Sequence, residues 1–157
     1  MTETALVQGG AEVAPALYVV FRVDAAEYAL PAETVLQMES FTAATAVPGT
    51  QPFVAGILQL RGLVVPVVDL RHRFGLPPAA PGPDTRVVVG QLRDRVVALV
   101  ADSAREVLRI APDQIKPPPR LLEDGAQGFV RAVAHAGPRT ILILDFGKVI
   151  GEEAIDV

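Results

Sequence analysis

The chain has 157 residues, of which 50% are hydrophobic and 5% aromatic, so its core must be built mainly from aliphatic side chains. The formal net charge of −4 argues against a nucleic-acid-binding surface, which requires a clustered basic face. Because there is no cysteine, disulfides, cysteine-ligated metals and thiol nucleophiles are excluded, and a reducing compartment is expected. The N-terminus lacks the basic and apolar regions of a signal peptide, and every apolar run is too short to span a membrane, so we expect a cytoplasmic protein.

Apolar runs of strand length, rich in β-branched residues, follow one another along most of the chain. Residues 1–16 are aperiodic and are interpreted as a flexible tail, and residues 152–157 as a short C-terminal tail. Four prolines within residues 76–85 predict a stiff surface connection, since proline fits neither a helix interior nor a central strand. The sequence predicts an all-β protein with strands at Leu17–Val23, Glu27–Leu30, Gly56–Leu60, Leu63–Val68, Arg86–Leu92, Arg95–Val100, Glu106–Ile110, Phe129–Ala134 and Thr140–Leu144.

Two connections of two residues, Arg61-Gly62 and Arg93-Asp94, separate pairs of apolar runs and predict tight β-hairpins. Gly62 can adopt the positive φ that such a turn requires. Arg61, at the tip, is either an ordinary solvated turn residue or a preorganised guanidinium that binds a carboxylate or carbonyl of a partner. The residues alone leave both interpretations open.

An internal repeat relates the two halves of the chain. Phe53, Val54, Asp69 and Gly75 each recur 76 positions later, at Phe129, Val130, Asp145 and Gly151. Chance similarity among valine-rich strands is the alternative, but we favour duplication of one small β-barrel. The halves would be residues 17–75 and 86–151, joined by residues 76–85, and each would become stable by sharing a core with the other.

Asp69 and Asp145 hold equivalent positions in the repeat, directly after an apolar strand, and admit two interpretations. Each could cap a short helical turn by accepting hydrogen bonds from its free N–H groups. Alternatively, the two could form a catalytic pair, as in aspartic proteases, where small residues after each aspartate let two loops approach. Here the following residues are Leu70-Arg71 and Phe146-Gly147, so we favour two structural caps.

No other group of residues suggests chemistry. The two histidines, His72 and His135, have no second histidine at metal-ligand spacing. No glycine-rich phosphate loop and no nucleophile–base pair is recognisable. We therefore expect neither catalytic residues nor a metal or other cofactor.

Several aliphatic residues could be either core or the lining of an exposed groove that accepts an amphipathic helix. Among them, Val35 and Val107 lie at related positions of the two copies, where the repeats could flank a shared groove. The full set is Val35, Leu36, Met38, Ala98, Leu99 and Val107.

The stretch FVAGILQLRGLVVPVVDLRHRFGL resembles the signature of the CheW family of chemotaxis adaptors, G-x-x-N-L-R-G-x-x-x-P-V-x-D-L-R. The resemblance extends from about Leu17 to Ile150. It implies two SH3-like five-stranded β-barrels that share an apolar interface, and it leaves open whether strands are exchanged between halves. It also implies a non-catalytic adaptor that connects the cytoplasmic hairpin tip of chemoreceptors to the regulatory domain of a chemotaxis histidine kinase.

By motif position, Arg61 matches the family arginine linked to array function, and Val35 matches an apolar position near the partner contacts. Gln59 and Gln37 depart from the usual asparagine and acidic residue, which leaves open a divergent pathway such as twitching or gliding. A regulatory domain attached to a kinase or receiver is disfavoured by the short tails. We expect a free monomer, recruited to membrane-associated arrays by partners without entering the membrane, with contacts at Arg61, Val35, Gln37, Gln59, Gly62, Ala98 and Val107.

Overall fold

The computed structural model describes residues 15–119 and 128–151. Within these ranges the chain forms short α-helices and β-strands, and no helix is long and apolar enough to cross a membrane. The predicted tails lie outside the described residues, apart from Pro15 and Ala16. The strands are β1 (Ala16–Val23), β2 (Ala26–Pro31), β3 (Val35–Ser40), β4 (Val54–Leu60), β5 (Leu63–Asp69), β6 (Arg86–Leu92), β7 (Arg95–Ala101), β8 (Ser103–Ile110), β9 (Ile115–Lys116), β10 (Val130–Ala136) and β11 (Arg139–Leu144), and the helices are α1 (Leu70–Arg73) and α2 (Phe146–Ile150).

The all-β prediction is confirmed, and each of the predicted runs overlaps a strand. The sequence did not predict β3 or β9. β3 has polar residues within it and alternates between half-buried and exposed positions, and β9 has two residues. Within the proline-rich connection, residues 76–82 are neither helical nor extended in a sheet.

The strands form two sheets, which we call the six-stranded lobe and the five-stranded lobe. Their orders are β8-β1-β2-β11-β10-β9 and β3-β6-β7-β5-β4. Each lobe takes strands from both halves of the sequence, because β1 and β2 join β10 and β11, whereas β6 and β7 join β4 and β5. Strands are therefore exchanged between the halves. The predicted five strands are found in one lobe, and the short β9 adds a sixth to the other.

The two lobes have the same strand order and the same registers, as duplication requires. Val54 pairs with Val68, and the residues 76 positions later, Val130 and Leu144, pair in the same way. Both antiparallel pairs are interrupted by a bulge at the same place, and both lobes include one parallel pair, β5 with β7 or β11 with β2. A residue of one lobe can therefore be assigned a counterpart in the other by register.

The hairpins β1–β2 and β6–β7 also correspond, at an offset of 69 residues, so that Val19 in β1 is the counterpart of Val88 in β6. Val107 lies opposite Val19, and Met38 lies opposite Val88. Met38 is therefore the counterpart of Val107, and the sequence-based pairing of Val35 with Val107 is wrong. The error arose because β8 is two residues longer than β3 and the copies were aligned without their registers.

Three clusters of buried side chains hold the molecule together. One lies in each lobe, and the third lies between the lobes and takes residues from strands of both and from both helices. Neighbouring residues of β7 divide accordingly, since Ala98 packs in the five-stranded lobe while Leu99 joins the shared cluster. The predicted apolar interface between the lobes is confirmed.

Arg73 joins the two copies at the centre of the molecule. Its guanidinium lies 3.8 Å from the ring centre of Phe53 and 4.7 Å from that of Phe129, which are equivalent residues of the repeat. It also donates hydrogen bonds of 2.8 and 3.0 Å to the backbone oxygens of Val149 and Lys148 in α2. Burial lowers the pKa of Arg73. Val149 lies 76 positions after Arg73 and is therefore its counterpart in the repeat. A contact between the two lies on the approximate twofold axis that relates the copies, which we call the pseudo-twofold axis.

Candidate functional site

Asp69 and Asp145 each cap the short helix that follows. The Asp69 Oδ1 accepts a hydrogen bond of 3.0 Å from the backbone N–H of Arg71, and the Asp145 Oδ1 accepts one of 3.2 Å from that of Lys148. The two aspartates are the N-cap residues of α1 and α2. The predicted capping role is confirmed, and each carboxylate is engaged with its own helix.

A third aspartate, Asp102, connects the two lobes. Arg71 binds its carboxylate through Nε at 3.0 Å and Nη2 at 2.7 Å, and the backbone N–H of Asp24, in the β1–β2 turn, donates to it at 2.7 Å. Burial raises the pKa of Asp102, but these hydrogen bonds outweigh burial and hold the pKa below its usual range. Asp102 is thus a structural ion-pair partner that ties a turn of the six-stranded lobe to the end of β7.

Arg61 stands at the tip of the β4–β5 hairpin in the left-handed region, with a φ of 52°, and Gly62 follows with a φ of 81°. This conformation is expected for a two-residue hairpin turn, but it disfavours arginine by about 1 kcal/mol. The Arg61 side chain is 78% exposed, and its Nη2 lies 3.6 Å from the carboxylate of Glu39 in β3. The guanidinium is therefore presented to solvent, and within the part of the chain that the structure describes Glu39 is its one ion-pair partner.

An apolar groove of about 130 Å³ lies beside Arg61 on the five-stranded lobe. Leu36 and Leu63, which line the groove, are each 52% exposed, and their strands β3 and β5 also carry the exposed Met38 and Val64. Large apolar side chains clustered in water are typical of surfaces that bind a partner. The residues that line this apolar groove are Leu36, Gln37, Leu60, Arg61, Leu63, Val65, Val89 and Val96.

The predicted contact residues fall into three groups. Arg61 and Gln37 line the apolar groove, with Gly62 and the exposed Gln59 on the same hairpin. Val35 is half-buried and packs against the cluster between the lobes, so it does not line the groove.

The other two predicted contacts lie elsewhere. Ala98 has 0% exposure in the core of the five-stranded lobe, so its prediction as a partner-contacting residue is wrong. Both faces of β7 are buried, which its apolar sequence could not reveal. Val107 is exposed, but it lies on β8 of the six-stranded lobe, in a different sheet from Val35.

A charged pocket, which we call the arginine pocket, opens on the six-stranded lobe. At its centre the Glu27 carboxylate is only 10% exposed and binds Arg139 through two hydrogen bonds of 3.1 Å. Arg105 Nε lies 3.1 Å and Arg22 Nη2 3.9 Å from the same carboxylate. The hydrogen bonds from Arg139 lower the pKa of Glu27, so this carboxylate is ionised. The pocket measures about 520 Å³ and is completed by Ala25, Ala26, Thr140 and Leu142.

Comparison with known proteins identifies the family. The CheW-like domain family matches residues 17–154. The chain is 31% identical to the chemotaxis protein CheW of Rhizobium meliloti over 94% of this chain and 92% of that protein, and 30% identical to CheW of Bacillus subtilis over 87% of each. The chain belongs to the CheW-like family. It is also 33% identical to protein FrzA of Myxococcus xanthus over 83% of this chain and 82% of that protein.

The fold agrees with this assignment. The crystal structure of the scaffolding protein TtCheW from Thermoanaerobacter tengcongensis superposes with a TM-score of 0.77 at 30% identity, covering 83% of this chain and 89% of that one. The two sheets correspond to the two SH3-like subdomains of CheW. As a CheW-like protein, the chain is a non-catalytic adaptor of chemotaxis.

Sequence reasoning did not single out Glu39, Leu63 or Val64, nor the residues of the arginine pocket. Leu63 and Val64 lie in a run that is apolar at every position, so alternation could not show which side chains are exposed. The arginine pocket collects residues from β1, β2, β8 and β11, which are distant in the sequence. Its one local signal was the direct cross-strand pair of Arg22 with Glu27.

Proposed function

We propose that this adaptor couples chemoreceptors to a chemotaxis histidine kinase by binding the cytoplasmic hairpin tip of a receptor and the regulatory domain of the kinase. Membership of the CheW-like family supports partners of these two kinds. Coupling is achieved by holding the two proteins in a fixed geometry, and no bond is made or broken. The adaptor reaches membrane-associated receptor arrays through these partners.

The observation that carries the proposal is the apolar groove with Arg61 at its rim. The exposed side chains of Leu36 and Leu63, which lie on two strands of one sheet, can receive the apolar side of a partner helix. The charged rim sets the orientation of the partner, because a wrongly placed charge would be left unpaired. The surface thus combines apolar burial with one directed polar contact.

The pair of Arg61 with Glu39 supports a binding role for the arginine. At 3.6 Å and with Arg61 mostly in solvent, this surface ion pair contributes less than about 1 kcal/mol to stability. Such a pair does not offset the disfavoured backbone conformation of arginine at the turn, where asparagine or glycine would be more stable. A partner carboxylate or carbonyl, desolvated on binding, gives the guanidinium a stronger contact than Glu39 does.

The test is Arg61→Asn, measured against the purified kinase regulatory domain and a receptor hairpin-tip fragment. Asparagine suits the left-handed turn, so the melting temperature should stay equal or rise slightly. Affinity for one of the two partners should fall about tenfold, as expected for a lost charged contact at an interface.

Arg131→Asn is the matched control, since Arg131 is an exposed arginine on β10 of the other lobe. It should change neither affinity nor stability appreciably. Unchanged binding of both partners by folded Arg61→Asn protein would contradict the role assigned to the groove.

A further inference from the structure

By register, the arginine pocket of the six-stranded lobe overlaps the place that the apolar groove holds on the five-stranded lobe. The registers of the sheets establish this correspondence, at offsets of 76 residues for β5 and β11 and 69 residues for β2 and β7. Three apolar residues of the groove have charged counterparts in the pocket: Leu63 corresponds to Arg139, Val96 to Glu27 and Leu36 to Arg105.

The correspondence includes a local irregularity of the backbone. Leu36 is the extra residue of a bulge where β3 pairs with β6, and Arg105 is the extra residue of the bulge where β8 pairs with β1. Bulges re-aim a side chain away from the regular pleat. Each lobe therefore directs one long side chain into its surface depression by the same device.

The charges of the arginine pocket do not balance. Among residues 15–119 and 128–151, three guanidinium groups face two carboxylates, because Arg139 also binds Glu106 at 3.2 Å in addition to the central Glu27. The three arginine side chains remain between 31% and 42% exposed although they are held by these contacts. Because these contacts already restrict the arginine side chains, a ligand that binds them pays a smaller cost in side-chain entropy.

We propose that the arginine pocket is a second docking site. It binds a carboxylate-bearing segment of one partner, namely the kinase or receptor protein that does not bind through the apolar groove. This inference rests on the proposed function, since an adaptor that bridges two proteins needs two separate surfaces. The net positive charge of the pocket complements an acidic side chain, and the apolar Leu142, Ala25 and Ala26 receive its methylene groups. A carboxylate carries one negative charge, which matches the single positive charge that three guanidinium groups and two carboxylates leave in the pocket.

The fold alone does not require every arginine of the pocket. Arg139 satisfies both oxygens of Glu27, so that carboxylate stays paired when Arg105 is neutralised. Arg105→Gln therefore removes one guanidinium from the docking site and leaves the sheet intact. Arg109→Gln is the matched control, because Arg109 is an exposed arginine of the same strand that does not line the pocket.

The experiment compares wild type, Arg105→Gln, Arg109→Gln and Arg61→Asn by titration calorimetry against the kinase regulatory domain and the receptor hairpin-tip fragment. Arg105→Gln should weaken one partner about tenfold, and that partner should be the one that Arg61→Asn spares. The wild-type affinity for this partner should also fall when salt is raised from 0.05 to 0.5 M, since the contact is ionic. Arg109→Gln should bind both partners like wild type.

Each result decides a different claim. If wild type binds both partners and Arg105→Gln does so equally well, the docking role of the arginine pocket is overturned while the proposed function stands. If Arg105→Gln and Arg61→Asn weaken the same partner and spare the other, the assignment of two surfaces to two partners is overturned. If wild type binds neither protein, the proposed function fails and this inference fails with it.

Discussion

The two lobes have the same backbone plan and opposite surface chemistry. Their strand order, registers and bulges agree, and an aspartate-capped helical turn follows each of the corresponding strands β5 and β11, at Asp69 and Asp145. Yet one lobe carries an apolar groove and the other a charged pocket, and three lining residues of each hold corresponding positions. The comparison indicates that strand order and register, which depend on backbone hydrogen bonds, are the same in both copies of the duplicated sheet. The exposed side chains differ, because they do not affect this pairing.

The hairpin tips differ in the same way. Arg61-Gly62 on the five-stranded lobe corresponds to Gly137-Pro138 on the six-stranded lobe, and Gly137 also has a positive φ, of 63°. The backbone requirement at the first turn residue is thus common to both lobes, but glycine satisfies it without strain. Arginine at this position in one lobe is a departure from what the turn prefers.

In the core, the larger side chain lies on the strand in one copy of the repeat and on the helix in the other. Phe21 and Leu70 in one copy correspond to Gly90 and Phe146 in the other. A Cβ added at Gly90 would lie 2.8 Å from the ring of Phe146, so the missing side chain makes room for that ring. The total volume is preserved while the large residue moves from the strand to the helix.

The largest expected effect comes from breaking this exchange. Gly90→Phe should destabilise the protein by about 3 kcal/mol, because two rings cannot occupy one site. Adding Phe146→Leu to Gly90→Phe recreates the Phe21 and Leu70 arrangement and should recover a large part of that loss. Urea unfolding of both single variants and the double variant measures the coupling, and simple addition of the two losses would refute the exchange.

A smaller loss is expected from removing the side chain at the pseudo-twofold axis. Arg73→Ala loses two aromatic contacts and two hydrogen bonds to α2, so stability should fall by about 2 kcal/mol. The same change at the exposed Arg131 should cost less than about 0.5 kcal/mol. Equal losses in chemical denaturation would show that Arg73 does not join the lobes.

The smallest effect depends on pH. Asp102→Asn should cost about 1 kcal/mol at neutral pH, a value that allows for the partial exposure of the pair with Arg71. Because folding lowers the pKa of Asp102 below 3.8, its contribution is complete above that pH and is lost as pH falls through the folded value. The difference between wild type and variant should therefore shrink on acidification below about pH 4. A difference that is constant from pH 7 to pH 2 would contradict the ion pair.

Sequence reasoning reached the elements that depend on local pattern. Apolar runs, two-residue turns and aspartates after strands located most strands, the hairpin of Arg61 and both helix caps. It could not distinguish three destinations for an apolar side chain, namely the lobe core, the interface between lobes and the partner surface. Ala98 was therefore misplaced, and Leu63 was not singled out. The arginine pocket depends on four strands meeting in space, which no local pattern records.

The central claim, that the adaptor couples receptor to kinase through a surface containing Arg61, is tested most directly in a reconstituted mixture of receptor, kinase and adaptor. Kinase autophosphorylation is followed with and without the receptor's stimulus. Wild type and Arg131→Asn should place the kinase under receptor control, and Arg61→Asn should leave it uncoupled although the variant is fully folded. Full receptor control with Arg61→Asn would contradict the account.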